Sequence, residues 1–101
     1  MILLEWLETR TPAPPPGLFQ RIVEVLGSEA GVEVSSAVLV GAAERLLRQL
    51  TTQRTLARDS ALDLLTVDAL VTYAFEYAAA SPDTLRDTTT MAMERLGSIV
   101  T

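Results

Sequence analysis

The chain has 101 residues, of which 49% are hydrophobic, and its eight positive and 13 negative charges leave a net charge of −5. This length suits one domain covering residues 1–101, and the apolar content excludes a disordered chain. The acidic balance disfavours general binding to nucleic acids or to anionic membrane surfaces, so we expect neither as a partner.

The apolar segments are short. The longest apolar run, residues 37–43, is far below the roughly 20 residues of a membrane span. No basic segment followed by a long apolar stretch marks a secretory signal, so we expect a cytoplasmic protein. All eight basic residues are arginines, and the absence of lysine beside many alanines and valines indicates a GC-rich bacterial genome.

The mean hydropathy of +0.28 is high for so small a chain. A small domain has much surface for its volume, and its sequence is expected to be comparatively polar. The excess apolar residues therefore indicate burial between copies of the chain in a homo-oligomer. The alternative is that alanine, which is tolerated on surfaces, raises the average.

The N-terminal residues 1–10 have the pattern of a short amphipathic helix, with Ile2, Leu3, Trp6 and Leu7 on one stripe. A helix this short is not stable in isolation, so it must dock on something. Residues 11–17 contain four prolines and predict a stiff spacer. Such a spacer is compatible with docking on the same chain or on another copy.

Residues 18–26 predict a second helix, which Gly27 can end in a positive-φ conformation. Residues 28–34 follow as a loop, in which the alternation of residues 32–34 is typical of a short strand, although no partner strand is evident.

A third helix is expected from the N-caps Ser35 and Ser36 to about Leu50. Its first half is apolar on all sides and predicts a path through the core, where Gly41 would permit close approach of another helix. Glu44 and Arg48 form an i,i+4 pair in the favourable order. The apolar stripe consists of Leu39, Ala42, Ala43, Leu46, Leu47 and Leu50.

Residues 51–58 are compatible with a polar loop or with further helix. Ser60 and Asp63 then resemble a capping box for a fourth helix, the longest in the chain, which runs to about Ala80. Its predicted buried face consists of Val67, Leu70, Val71, Ala74, Phe75 and Ala78.

Ser81 as N-cap and Pro82 as first helical residue mark the start of a fifth helix, with Asp83 suited to the positive end of the helix dipole. The predicted fold is therefore an all-α compact bundle of four main helices, plus a short N-terminal helix joined by a proline-rich spacer. The inward stripe of the fifth helix is expected to be Leu85, Thr89, Ala92, Leu96 and Ile99.

The composition predicts no enzyme. The chain has no histidine, cysteine or lysine, so its serines have no nearby base and transition metals have no tight-binding ligands. Asp59, Asp63 and Asp68 lack the spacing of a calcium loop, and no glycine-rich phosphate loop is present. We expect no catalytic residue, no cofactor and no metal site.

Two groups of residues are candidates for binding a partner protein. Arg45, Arg48, Arg54 and Arg58 lie within fourteen positions that contain no acid, which predicts a docking patch for an acidic protein or for phosphates. The alternative is a solvated surface with local ion pairs. Trp6, with Leu3 and Leu7, is a candidate anchor on another chain, or else a cover for its own core.

These patterns leave three interpretations of function. The first is a non-enzymatic protein–protein interaction module that self-associates and acts as an adaptor or structural subunit. The second is a small helical nucleic-acid-binding regulator that uses the arginine cluster. The third is a ligand-binding or enzyme-accessory subunit with a pocket near Tyr73 and Tyr77. No motif in the residues points to a known family.

Overall fold

The computed structural model describes residues 1–53, 58–80 and 82–100, apart from the side chains of residues 58, 59 and 100. In these residues the chain forms an all-α bundle of four main helices, with a short N-terminal helix placed before a proline-rich spacer. The elements are α1 (Leu3–Glu8), α2 (Pro16–Leu26), a 3₁₀ helix (Gly27–Gly31), α3 (Ser36–Thr52), α4 (Arg58–Ala78) and α5 (Pro82–Val100).

Helix α3 is the centre of the bundle and packs along both α4 and α5. The hydroxyl of Ser35 caps it by accepting a hydrogen bond from the Val38 amide at 3.1 Å, as the sequence predicts. The neighbouring Ser36 hydroxyl donates to the Ala74 carbonyl at 3.0 Å and thereby joins α3 to α4. The first half of α3 is not buried on all sides, because Ala37 is exposed.

Helix α2 begins earlier than predicted. Pro16 is its first residue, since a proline at the start of a helix has no amide that needs an intrahelical partner. Gly27 ends the helix with φ +56°, which confirms the predicted positive-φ stop.

The segment between α2 and α3 is held by the N-terminus of the chain. The Leu3 amide donates to the Val32 carbonyl at 2.8 Å, and the Val34 amide donates to the Met1 carbonyl at 2.9 Å. These bonds make one antiparallel bridge, between Ile2 and Glu33, and no strand among the described residues. The partner of the predicted strand was missed because it comes from the opposite side of the proline spacer.

The predicted capping box at Ser60 and Asp63 is wrong, because α4 already includes Arg58 and places Ser60 inside the helix. Thr51 and Thr52 extend α3, whereas residues 54–57 and the predicted N-cap Ser81 lie outside the described residues. Pro82 is the first residue of α5, and Asp83 lies in its first turn as predicted.

The buried face of α4 is rotated relative to the prediction. Leu70, Ala74 and Ala78 are buried as expected, but Val67, Val71 and Phe75 are only partly buried. Tyr73 and Thr66 are buried instead. The rotation has a physical reason, since the N-terminal helix covers Tyr73 on one side of α4 and no element covers Phe75 to the same extent.

Within the described residues, no helix is both long enough and apolar enough to cross a bilayer.

Candidate interaction surface

Helix α5 is the least buried of the main helices. Among its described side chains only those of Thr88 and Ala92 are buried. The predicted inward stripe is therefore wrong at Leu85 and Thr89, which are exposed, whereas Leu96 and Ile99 are half-buried. The two buried side chains of α5 are small, whereas the large side chain of Met93 is exposed.

An apolar groove of about 420 Å³ lies along α5. One wall comes from Leu47 of α3 and Phe75 of α4, and Met93 of α5 stands beside the groove with 71% of its surface exposed. None of the lining residues is charged, so the groove suits apolar side chains. The groove is lined by Leu47, Phe75, Thr89, Ala92, Met93, Leu96 and Gly97.

Sequence reasoning missed this groove because it assigned one inward stripe to α5. A signal was present, since Met93 is a large apolar residue outside that stripe. Two overlapping apolar stripes on one helix indicate a second surface that needs cover.

The three apolar residues predicted to bind a partner lie in the core of their own chain. Leu3 is 0% exposed, Leu7 2% and Trp6 8%. Trp6 packs edge to face against Tyr73, with ring centroids 6.1 Å apart, and against Tyr77 at 5.7 Å. In this arrangement Leu3, Trp6 and Leu7 are core residues and not an exposed docking surface.

Arg10 covers the outer side of this aromatic cluster. Its guanidinium carbon lies 3.8 Å from the centre of the Trp6 ring, and its Nη1 is 3.4 Å from Glu76 Oε2. Burial raises the pKa of the Tyr73 phenol above its ordinary value, Glu76 raises it further, and Arg10 has a smaller lowering effect. The Trp6 indole fills the position beside Tyr73 and Tyr77 where the sequence suggested a ligand pocket.

The predicted arginine patch is described only in part. Arg45 forms an ion pair with Glu29, and Arg48 pairs with Glu44 at 3.3 Å, as predicted from their spacing. Arg54 and the side chain of Arg58 lie outside the described residues. Both described members of the patch therefore have an acidic partner in their own chain.

A different arginine joins Arg45. Arg95 of α5 reaches α3, where its Nη1 lies 3.7 Å from the position that a Cβ atom on Gly41 would take, and Nη1 of Arg45 lies 3.9 Å from the same position. The expectation that Gly41 allows close packing of another helix is corrected, because its neighbours there are side-chain guanidinium groups and not helix backbone.

A second, polar cleft of about 430 Å³ lies between α2 and α4. Arg21 Nε donates to Asp63 Oδ1 at 2.6 Å, and its Nη2 donates to Oδ2 at 3.3 Å. The hydrogen bond to Asp63 raises the pKa of Arg21 above its ordinary value, against a lowering effect of burial. The ion pair with Asp63 joins α2 to α4, and Glu24, one turn along α2, also contacts the Arg21 guanidinium.

In the part of the chain that the structure describes, no group of three or more histidine, cysteine, aspartate or glutamate side chains is arranged to hold a metal ion. Leu64 and Leu65 of α4 are also exposed apolar residues, but they line neither the polar cleft nor the groove. The apolar groove along α5 and the arginine pair at Gly41 are the candidate binding surfaces. We find no matching family model, no matching curated protein and no matching solved structure for this chain.

Proposed function

We propose that the protein is a cytoplasmic, non-enzymatic interaction module that self-associates, as a homodimer or a larger homo-oligomer, and acts as an adaptor or structural subunit. The observation that supports this most strongly is the uncovered apolar groove along α5, with Met93 exposed beside it. Exposed apolar surfaces of this kind mark binding sites in small proteins.

A second copy of the chain is the occupant that the groove favours. The α5 side of the groove contains the small residues Thr89, Ala92 and Gly97, and Met93 lies beside them. Across a twofold axis the same surface meets itself, so that Met93 of each copy can enter the groove of the other. A methionine side chain is flexible and adapts to such an irregular space.

Charge also favours contact at this surface. Each copy has a net charge of −5, so two copies repel each other over most approaches. The groove lining has no charged residue. Two copies that meet at the groove therefore do not place acidic side chains of the lining against each other. A stable interface buries on the order of 800 Å² per partner, which requires contact beyond the groove itself, on the side of α5 that carries Met93.

The non-enzymatic part of the proposal rests on composition. Without histidine, cysteine or lysine the chain has no side chain whose ordinary pKa lies near neutrality and no side-chain thiol or amine nucleophile. An adaptor needs neither, since binding requires only complementary surfaces.

A pair of lysine substitutions on α5 tests the proposal. Met93→Lys places a charge in the groove, and we expect it to weaken self-association by at least about tenfold, because a buried charge without a partner is costly. Ser98→Lys is the matched control, since Ser98 is exposed on the same helix and does not line the groove.

Mass by light scattering and the melting temperature at low concentration separate the outcomes. The proposal predicts a smaller mass for Met93→Lys alone, with the melting temperature of the dilute protein unchanged in both variants. Equal masses for Met93→Lys, Ser98→Lys and the unaltered chain would show that the groove is not the interface.

A further inference from the structure

Two arginines from different helices converge on one glycine. Arg45 extends from α3 and Arg95 from α5, and Nη1 of each lies within van der Waals distance of the point above Gly41 where a Cβ atom would stand. The two guanidinium groups are both positively charged, so an anion that contacts both would be attracted by each.

The other contacts of these side chains leave both facing nitrogens available. Arg45 uses Nη2 for its ion pair with Glu29, and its Nη1 is the atom that faces Gly41. No ion pair links Arg95 to any acid among the described residues, and the residue is exposed. A guanidinium has five N–H donors, so Arg45 can hold Glu29 and a second acid together.

Glycine is an unfavourable residue at position 41, and its presence there requires a physical explanation. Gly41 lies in the interior of α3, where glycine destabilises a helix relative to alanine. Its backbone does not have a positive φ, and no backbone atom of another helix lies within contact distance of a Cβ built there. Neither turn geometry nor helix packing therefore requires glycine, and without a side chain at this position the space beside both Nη1 atoms stays open.

We propose that Arg45 and Arg95 form a binding site above Gly41 for one carboxylate group on an acidic segment of a partner protein. The two oxygens of a carboxylate let each guanidinium donate to its own acceptor at the 2.7–2.9 Å that is typical of charge-assisted bonds. A single negative charge suits the surroundings better than a phosphate, because Glu29 and Glu44 lie beside the site and already pair with Arg45 and Arg48. The site is independent of self-association through the groove.

The test is a titration of the whole protein with a blocked peptide that alternates glycine and glutamate, followed by NMR at low ionic strength. The Nε–Hε signals of Arg45 and Arg95 and the amide signal of Gly41 are expected to shift and to saturate together. The same peptide with glutamine in place of glutamate is expected to cause no shift, since it carries no charge.

Two variants and one matched control locate the site. Arg95→Gln is expected to weaken peptide binding about tenfold, which corresponds to loss of one charge-assisted contact. Gly41→Ala is expected to weaken it as well, because the added methyl group occupies the space between the two side chains, and its thermal melt shows whether the fold is intact. Arg86→Gln removes another exposed arginine of α5 and is expected to leave binding unchanged.

Two results would overturn the proposal. If the signals of Arg86 shift as much as those of Arg45 and Arg95, without saturation, the interaction is general charge attraction. If inorganic phosphate saturates the site at a lower concentration than the glutamate peptide, the ligand is a phosphate and not a carboxylate.

Discussion

The indole ring of Trp6 meets the phenol ring of Tyr77 edge to face, with the ring centroids 5.7 Å apart and the planes at 86°. This contact connects the N-terminal helix α1 to the C-terminal part of α4, two elements that lie far apart in the sequence. Edge-to-face pairs are a favoured aromatic geometry and stabilise beyond the area that they bury. The N-terminal helix is thereby part of the core of its own chain.

Replacing Trp6 with alanine is expected to lower the free energy of unfolding by about 3–5 kcal/mol, because a buried indole is lost and a cavity remains. A urea titration measures this change. Trp6→Phe keeps an aromatic ring against Tyr73 and is expected to lose less. The mass of the folded Trp6→Ala protein is expected to stay the same, and dissociation without loss of stability would place α1 on a different copy of the chain.

The stability of the fold is expected to fall above about pH 10, the ordinary pKa of tyrosine. Burial raises the pKa of Tyr73, so the folded chain holds this proton after the unfolded chain has released it. The contribution is fully present below the ordinary tyrosine pKa and is lost as the pH rises through the raised value. Urea titrations between pH 8 and 11 measure the decline, roughly across the range where tyrosine titrates.

Tyr73→Phe is the control for this decline. It removes the ionisable group and keeps the ring against Trp6, so its stability is expected to depend less on pH in the same range. An identical decline in both proteins would show that another group is responsible.

One substitution is expected to have opposite effects at two glycines. Gly41→Ala is expected to stabilise the chain by about 0.5–1 kcal/mol, because alanine favours the helix interior and the added Cβ meets only ordinary contacts. Gly27→Ala is expected to destabilise it by about 1 kcal/mol or more, because φ there is +56°. Thermal melts of the two variants measure both changes, and the same sign in both would contradict the backbone assignments.

Local signals in the sequence were sufficient to predict three of the helix boundaries. Ser35 as N-cap, Gly27 as stop and Pro82 as first helical residue all act through neighbouring backbone atoms, so each could be predicted without knowledge of the fold. The pair Glu44 and Arg48 was predictable for the same reason, since i,i+4 neighbours meet on any helix.

Relationships between distant segments could not be predicted in this way. The side of α5 that faces the core depends on where α3 and α4 lie, and periodicity alone placed Thr89 inward where Thr88 is buried. The meeting of Arg45 and Arg95 depends on the same packing, because the two residues lie far apart in the chain. The bridge between Ile2 and Glu33 is a third example.

The central claim is that the chain associates with copies of itself. Sedimentation equilibrium of the intact protein, at neutral pH and from micromolar to near-millimolar concentration, tests it most directly. If copies of the chain associate, the apparent mass is expected to rise with concentration from 10.9 kDa to at least twice that value. A constant mass of 10.9 kDa over the whole range would contradict it.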